Sequence, residues 1–307
     1  MARLAFLGSP EAAVPSLRAL IDAGHDIAVV VSQPDKRRGR GAGTAPSPVK
    51  QAALDAGLEV SDRIDDVPAS GAELGMVVAY GRIVPERVLE KTPMLNAHFS
   101  LLPRWRGAAP VERAILAGDP FTGVSIMRLE AELDTGPILR VRREPIHHDR
   151  REHASQLRSR LASVAAELLV EVLCRGVAML GPGTTQAGEV TYAAKIESED
   201  LRLDFTRPVA ELERIVRLDG AWTLFRGERM RVLDAVAHGA RSGTSGTGDE
   251  PTKPTREPPP GALRGTAAQA TDGTLELLVV QPAGRRPQPA AEWLRGARLA
   301  PDERLGE

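Results

Sequence analysis

The stretch RLAFLGSPEAAVPSLRALIDAGHDIAVVVS, residues 3–32, decides the fold that this chain is expected to adopt. It starts with an apolar run of strand length that ends at a Gly-Ser-Pro turn. Residues 12–23 then carry apolar side chains at helical intervals and stop at Gly24, which indicates an amphipathic helix. A second apolar strand follows at residues 26–32. A strand, a helix and a second strand in this order predict a crossover unit of a parallel sheet.

The alternation continues through the first half of the chain. The same patterns predict helices at 48–56, 109–117 and 153–175, and strands at 75–80, 94–99 and 123–129. Apolar strands that alternate with helices indicate a mostly parallel sheet covered on both faces. We therefore expect an α/β fold for a first domain over residues 1–180.

The composition changes in the second half of the chain. The expected linker, residues 181–203, begins with GPGTTQAGE, a sequence typical of a loop. Beyond it, turn residues separate short strand candidates at 213–217, 221–226, 229–236, 262–270 and 274–280. This pattern predicts a small β-rich domain, a sandwich or a barrel, over residues 204–307. Gly, Pro, Ser and Thr occupy most of residues 239–261, so we expect a flexible insertion there.

The overall composition excludes several classes of protein. The 307 residues carry a formal net charge of −1 and only 3% aromatic residues. A polyanion would therefore have to be bound by a local basic patch, and wide stacking surfaces for single-stranded nucleic acid are not expected. Cys174 is the only cysteine, which excludes an intramolecular disulfide and a cysteine-rich zinc site. The N-terminus does not resemble a signal peptide and no apolar run reaches the ~18–20 residues of a membrane span, so we expect a cytoplasmic protein without a membrane partner.

The first strand-to-helix turn lacks the features of a nucleotide site. In a doubly wound sheet, a glycine-rich loop at this turn binds dinucleotides. Here the turn has one glycine, Gly8, followed by Pro10 and Glu11. Proline removes a backbone donor, and glutamate places a negative charge where a pyrophosphate would bind. The chain also has no GxxxxGK[ST] phosphate loop, so neither a dinucleotide-dependent enzyme nor a P-loop enzyme is favoured.

Polar residues recur at strand spacing in NAHFSLLPRWRGAAP, residues 96–110. Because side chains alternate between the faces of a strand, Asn96, His98 and Ser100 share one face. An imidazole is suited to proton transfer near neutral pH, and a neutral amide can stabilise an oxyanion. Asp134, in the sequence LDTGP, follows the next strand. It is a candidate to orient the imidazole and to support its charged form.

Other interpretations of these residues remain open at this point. Asn96 and His98 could be ordinary polar residues at a strand end, and Asp134 an ordinary turn residue. Ser100, His98 and Asp134 could also form a hydrolase triad, but the chain has no G-x-S-x-G nucleophile elbow. The adjacent histidines at 147–148 do not predict a metal site, because neighbouring strand residues point to opposite faces and no third ligand is apparent.

A family resemblance narrows these alternatives. The stretch NAHFSLLPRWRGAAP, with LDTGP downstream, resembles the signature of the methionyl-tRNA formyltransferases, a branch of the 10-formyltetrahydrofolate-dependent formyltransferases. Further matches are GSPEAAVPSL at 8–17, SQPDKRRGRG at 32–41, VVAYGRIVP at 77–85, TYAAKI at 191–196 and QPAGRR at 281–286. The resemblance covers nearly the whole chain apart from residues 239–261. It implies a Rossmann-like, mostly parallel sheet domain followed by a smaller OB-like β-barrel domain.

The resemblance also implies roles for individual residues. Asn96, His98 and Asp134 match the catalytic trio of the family, which would stabilise a tetrahedral oxyanion intermediate. The co-substrate, 10-formyltetrahydrofolate, would be bound by Ser100, Leu101, Leu102, Pro103, Tyr80 and Gly81. No metal is implied.

The implied acceptor is initiator methionyl-tRNA, which connects the chain with translation initiation. Contacts to the tRNA are implied for Lys36, Arg37, Arg38, Arg40, Arg285 and Arg286; alternatively, Arg285 and Arg286 only cap the barrel. The first four lie in KRRGR, where clustered cations could bind phosphates, although the residues alone are more typical of a solvated surface loop. We also expect the protein to be a monomer.

Two rival functions are compatible with the same pattern. One is a formyltransferase that acts on a small amine such as an amino-sugar nucleotide. The other is a catalytically idle RNA-binding protein on the same scaffold. The basic loop and the second β-rich domain favour tRNA over a small amine, and the intact trio argues against an idle scaffold.

Overall fold

The computed structural model describes residues 1–37, 44–239, 258–300 and 302–307. The chain forms two compact units. The first contains Met1–Ala114, Asp119–His148 and Gln156–Lys195, and the second contains Ile115–Gly118, Asp149–Ser155 and Ile196–Glu307. Most of the expected insertion, residues 240–257, lies outside the described residues.

The first half of the chain alternates strands and helices, as the sequence predicts. Its strands are β1 Arg3–Gly8, β2 Asp26–Val31, β3 Lys36–Arg37, β4 Thr44–Ala45, β5 Val60–Ser61, β6 Leu74–Val78, β7 Met94–His98, β8 Arg106–Gly107, β9 Phe121–Arg128, β10 Ile138–Pro145 and β11 Tyr192–Ala193. Its helices are α1 Val14–Asp22, α2 Pro48–Asp55, α3 Asp66–Ala69, α4 Glu86–Leu89, α5 Pro110–Ala117 and α6 Ala154–Leu173, with 3-10 turns at Glu11–Ala13 and Val177–Met179.

The central sheet of the first unit is mostly parallel. Its seven strands run in the order β10-β9-β7-β6-β1-β2-β5. The strands from β7 to β5 pair in parallel, whereas β9 is antiparallel to β7 and β10 is antiparallel to β9. Strands β1, β2 and β6 are almost continuously buried, as expected for a sheet covered on both faces. The expected α/β fold is confirmed.

The antiparallel pairing of β9 with β7 determines the position of the loop that follows β9. Because β9 pairs with β7 in the register His98 with Ser125 and Leu95 with Arg128, the end of β9 lies beside the beginning of β7. The loop 129–137 therefore has to fold back along β7 to bring its residues close to the end of that strand.

Strand β10 is absent from the strands predicted by the sequence. Its residues, ILRVRREP, are mostly half-buried or exposed and include three arginines and a glutamate. An edge strand with one solvated face has no continuous apolar run, so a search for buried strands overlooks it.

The second unit is built on an antiparallel sheet. Its elements are a 3-10 turn at Glu199–Leu201, helix α7 Val209–Val216, strands β12 Trp222–Phe225, β13 Glu228–Gly239, β14 Leu263–Arg264, β15 Ala267–Gln269, β16 Gly273–Gln281 and β17 Gln288–Pro289, and helix α8 Ala290–Ala297. The strands run in the order β12-β13-β16-β15-β14, and β17 also pairs with β16. Near the C-terminus, Leu305 bridges to Phe225 and Arg304 bridges to Ala262. The chain end therefore connects the two edges of the sheet in a barrel-like closure, which agrees with the expected β-rich second domain.

One strand candidate of this unit was wrong. Residues 213–217 lie mainly in helix α7, whose buried side chains are Val209, Leu212, Ile215 and Val216. These positions recur at helical spacing and pack into the core of the unit together with Leu275 and Leu277 of β16. A short apolar run such as this does not distinguish a strand from a helix by itself.

Hydrogen bonds to Asp219, whose side chain is partly exposed, hold the segment Asp149–Ser155 within the second unit. Asp219 accepts hydrogen bonds from His153 Nδ1 and from the Ser155 backbone amide, each at 2.8 Å. Burial acts to raise the pKa of Asp219, but these hydrogen bonds outweigh burial and hold the pKa below its ordinary value.

In the described part of the chain, no helix is long and apolar enough to cross a membrane.

Candidate active site

Strand β7 directs Asn96 and His98 into one cavity of the first unit. The cavity has a volume of about 670 Å³, and Asn96, His98 and Asp134 are among the residues that line it. Asn96 is half-buried, while the side chains of His98 and Asp134 are only 6% and 8% exposed. The polar pair predicted from strand alternation and the distant acid thus converge on one wall of a cavity of a size that is typical for small-molecule sites.

The carboxylate of Asp134 is held by three neighbours. Its Oδ2 accepts a hydrogen bond from the Gly107 backbone amide at 2.8 Å, and its Oδ1 accepts one from Asn96 Nδ2 at 3.4 Å. Oδ2 also lies 3.6 Å from His98 Nδ1. Asp134 has a positive φ of 53°, a left-handed conformation that is uncommon for residues other than glycine.

The ring of His98 is oriented by a backbone carbonyl. His98 Nε2 lies 2.8 Å from the carbonyl oxygen of Trp105. Because a carbonyl oxygen only accepts hydrogen bonds, Nε2 carries a proton. The other ring nitrogen, Nδ1, faces Asp134 at 3.6 Å, beyond the range of a good hydrogen bond. The carbonyl of Trp105 thus sets the orientation of the ring, and Asp134 acts on it as a nearby charge.

Hydrogen bonds to Asp119 stabilise the conformation of the segment Arg104–Gly107. The sequence pattern did not indicate a role for Asp119. Arg104 donates from Nε and Nη2 to the Asp119 carboxylate at 2.9 and 2.6 Å, and Trp105 Nε1 donates to the same carboxylate at 2.7 Å. The hydrogen bond to Asp119 raises the pKa of Arg104. Asp119 follows α5 in an ordinary-looking Gly-Asp-Pro turn, so its local sequence gave no signal of this role.

A second group of contacts reaches the same segment from residues 184–193. Strand β11 pairs in parallel with β8, and the Trp105 backbone amide donates to Thr191 Oγ1 at 2.9 Å. Gly107, with φ 118°, approaches this strand so closely that an added Cβ would lie 2.9 Å from the carbonyl oxygen of Ala193. These residues lie in the linker predicted over residues 181–203. The contact of the motif TYAAKI with the segment 104–107 joins positions far apart in sequence, so its spacing along the chain gave no signal of it.

Tyr80 and Gly81, two of the residues expected to bind folate, line the cavity. Ala79 and Gly81 both have positive φ angles, 47° and 75°. Gln33 Nε2 donates to the Tyr80 carbonyl oxygen at 3.0 Å and so braces this turn. Tyr80 is buried, and burial raises its pKa against the opposing effect of Arg82.

The other residues expected to bind folate, Ser100, Leu101, Leu102 and Pro103, are not among the residues that line the cavity. Ser100 is fully buried, and its hydroxyl donates to the Arg104 carbonyl oxygen at 2.6 Å. The Leu102 backbone amide donates to Ser125 Oγ at 3.2 Å. In this arrangement the four residues shape the segment that follows β7.

The basic residues expected to contact tRNA fall into three groups. Lys36 and Arg37 form β3, which pairs with β4. Arg38 and Arg40 lie outside the described residues. Arg285 and Arg286, in the second unit, are exposed in the turn between β16 and β17. Within the described residues, no group of three or more His, Cys, Asp or Glu side chains could hold a metal ion.

The fold and the cavity agree with one class of protein: the chain belongs to the formyl transferase family. The model of that family matches residues 2–173, and the model of its C-terminal domain matches residues 195–298. A methionyl-tRNA formyltransferase from Ruegeria pomeroyi is 42% identical over 310 residues, which cover 96% of this chain and 97% of the relative. Another from Thermus thermophilus is 43% identical over 319 residues and covers 99% of each chain. Within the family, the chain is a member of the methionyl-tRNA formyltransferases.

A solved structure supports the fold. The N-formyltransferase from Helicobacter canadensis, in complex with folinic acid and dTDP-3-aminofucose, superposes with a TM-score of 0.64 at 17% identity. The match covers 93% of this chain and 100% of the other.

Proposed function

We propose that this protein transfers the formyl group of 10-formyltetrahydrofolate to the α-amino group of initiator methionyl-tRNA, and that Asn96, His98 and Asp134 carry out the transfer. The observation that carries this proposal is the convergence of the three side chains on one cavity wall in a chain whose full-length relatives are methionyl-tRNA formyltransferases.

The acceptor amine is reactive enough to attack without a strong base. A free α-amino group has a pKa near ~7.7–8.0, so a useful fraction is unprotonated at neutral pH. Attack on the formyl carbon forms a C–N bond and places negative charge on the formyl oxygen. When the bond from this carbon to N10 breaks, one proton from the amine has to reach N10. The protein therefore has to stabilise an oxyanion and to relay one proton.

Asn96 is suited to stabilise the oxyanion. One N–H of its amide donates to Asp134 Oδ1 at 3.4 Å, which orients the side chain and leaves the second N–H for a substrate in the cavity. A neutral donor held in this way costs no reorganisation when the negative charge develops.

His98 and Asp134 supply the charge and the proton relay. Because His98 Nε2 is engaged by the Trp105 carbonyl, Nδ1 is the ring nitrogen left for the substrate. A proton on Nδ1 would be stabilised by the Asp134 carboxylate at 3.6 Å. The ring can thus donate to the oxyanion and pass a proton from the amine to N10.

The folate would lie in the cavity, whose walls include Val77, Tyr80, Val84 and Leu133. Apolar walls with a few convergent polar groups are what a flat heteroaromatic ring requires. The tRNA would be contacted by Lys36, Arg37, Arg38 and Arg40 and, in the second unit, by Arg285 and Arg286, through phosphate contacts. That the protein acts in the cytoplasm and as a monomer remains a prediction.

The test is a comparison of formyl acceptors. The purified protein is mixed with 10-formyltetrahydrofolate and, separately, with methionyl-tRNA, free methionine and an amino-sugar nucleotide, and formyl incorporation is followed. We expect rapid transfer to methionyl-tRNA alone. Transfer to the amino sugar in preference to methionyl-tRNA would overturn the proposal, and no transfer to any acceptor would favour the idle-scaffold alternative.

The trio is tested in the same assay. We expect Asn96→Ala, His98→Ala and Asp134→Ala each to lower turnover by about a hundredfold or more, the typical effect of losing one oxyanion donor. Arg40→Ala is expected to raise KM for tRNA far more than KM for folate. Near-wild-type formylation by a folded variant of the trio would remove that residue from the mechanism, and an unchanged KM for tRNA would remove Arg40 from the interface.

A further inference from the structure

Gln186 makes four hydrogen bonds with the backbone and side chains that surround Asp134. Its Nε2 donates to the carbonyl oxygens of Asp134 and Gly136 at 2.8 and 2.9 Å. Its Oε1 accepts from Arg106 Nε and Nη2 at 3.1 and 2.6 Å. Both N–H donors and both oxygen lone pairs of the amide are therefore used, and the whole arrangement lies within the first unit.

The arrangement fixes which way the amide points. Arg106 has only donors, so it has to face the amide oxygen of Gln186. The two carbonyl oxygens at Asp134 and Gly136 only accept, so they have to face the amide nitrogen. A glutamine is the side chain that satisfies both requirements, whereas a glutamate of the same length satisfies only the first.

The backbone that Gln186 binds is strained. Asp134 adopts φ 53°, and such a conformation persists in a non-glycine residue when its surroundings hold it in place. The neighbouring Gly136 is also confined, because an added Cβ would lie 2.0 Å from the Arg128 carbonyl oxygen. The two donated hydrogen bonds span this turn and hold the backbone from which the Asp134 carboxylate extends.

We propose that Gln186 is a positioning residue for the formyl transfer: it holds the 134–136 turn so that the Asp134 carboxylate stays 3.6 Å from His98 Nδ1 and within reach of Asn96. The inference rests on the proposed function, because it acts through the trio. Gln186 is not among the residues that line the cavity, so it is not expected to touch either substrate.

The test compares two substitutions with different losses. Gln186→Ala removes all four hydrogen bonds. Gln186→Glu keeps the contact with Arg106 but loses the donation to the turn and sets a negative charge against two carbonyl oxygens. A matched control is Gln51→Ala on helix α2, where the side chain of an exposed glutamine donates to Asp55 at 2.8 Å.

We expect both Gln186 variants to lower kcat about 10- to 100-fold, in line with the cost of a ~1 Å misplacement of a catalytic group. KM for folate and for methionyl-tRNA should change by less than about twofold, and Gln51→Ala should leave both constants unchanged. In an Asp134→Asn background, Gln186→Ala should cause no further loss, because its effect passes through the carboxylate already removed.

Several outcomes would overturn the inference. A folded Gln186→Glu variant with wild-type kcat would show that donation to the turn is not needed. A rise in KM with unchanged kcat would indicate contact with a substrate. A full additional loss in the Asp134→Asn background, or loss of the native fold by both variants, would give Gln186 a general structural role. The wild-type protein is assayed in parallel. If it transfers no formyl group, both the proposed function and the inference are contradicted. If the wild type is active and the Gln186 variants are equally active, only the positioning role of Gln186 is contradicted.

Discussion

Replacing Asp134 by asparagine removes one negative charge and leaves the size of the side chain unchanged. The asparagine oxygen can still accept the hydrogen bond from the Gly107 amide, which the carboxylate accepts at 2.8 Å. What is lost is the attraction between the carboxylate and a proton on His98 Nδ1, 3.6 Å away, together with the weak hydrogen bond that Asn96 Nδ2 donates to Oδ1 at 3.4 Å. The substitution therefore separates the charge of Asp134 from its packing.

The size of the effect follows from this distance. Two unit charges 3.6 Å apart attract each other by about 4–5 kcal/mol at an effective dielectric constant of ~20. Both side chains are more than nine-tenths buried, so solvent screening is weak. Since about 1.4 kcal/mol corresponds to a tenfold change in rate, loss of the whole attraction would slow the reaction by about three orders of magnitude. Residual polarity of the asparagine offsets part of this loss, and we expect kcat to fall at least about a hundredfold.

The assay is single-turnover formylation of methionyl-tRNA at saturating concentrations of both substrates. KM for each substrate and the thermal unfolding midpoint should stay close to the wild-type values, and Asp22→Asn, at an exposed position at the end of α1, is the matched control. A folded Asp134→Asn variant that retains more than a tenth of wild-type kcat would refute the electrostatic role of this carboxylate.

Three further predictions concern the surroundings of the site and the second unit. Asp119→Ala leaves three donors on Arg104 and Trp105 without their partner, so kcat should fall about tenfold or more and the thermal midpoint should decrease. Unchanged kinetics would show that this carboxylate does not shape the site. Gly136→Ala would place a methyl group 2.0 Å from the Arg128 carbonyl oxygen and should destabilise the protein by about 1–3 kcal/mol in chemical denaturation, an effect that an unchanged unfolding midpoint would contradict. The folded state lowers the pKa of Asp219, so the ionised carboxylate stabilises the protein at pH values above the ordinary pKa of this group, and the stabilisation is lost as the pH falls. The unfolding free energy of Asp219→Asn should therefore depend less on pH in acid than that of the wild type. Identical pH dependence of the two proteins would show that Asp219 does not stabilise the fold in this way.

The fold of the first unit could be read from the sequence because its strands are apolar runs between helices. β1 and β2 were located within a residue or two of their true ends, since they are buried on both faces. Strand β10 could not be found in this way, because none of its residues is buried, three of them are arginines, and the strand is stabilised by its pairing with β9. Helix α7 was mistaken in part for a strand because its apolar residues include the adjacent pair Ile215 and Val216.

The candidate site was predicted only in part, for a physical reason. Strand alternation puts Asn96 and His98 on one face, and this requires only local geometry. That Asp134 meets them depends on the antiparallel pairing of β9 with β7 and on a loop that folds back along β7, which no local pattern reveals. The roles of Asp119 and Gln186 depend on contacts between segments far apart in sequence, and neither residue has a distinctive neighbourhood.

Long-range contacts also explain Arg104, Trp105 and Arg106. From the sequence they had no individual assignments. In the structure, Arg104 and Trp105 bind Asp119 and Arg106 binds Gln186. This part of the motif therefore fixes the backbone carbonyl that orients His98.

The most direct test of the central claim is the rate of formyl transfer from 10-formyltetrahydrofolate to methionyl-tRNA in a single turnover, measured for the wild-type protein and for His98→Ala in parallel. We predict that the wild type formylates the methionyl-tRNA completely and that the folded variant does so at least about a hundredfold more slowly. Equal rates for the two proteins, or no transfer by the wild type, would contradict the account.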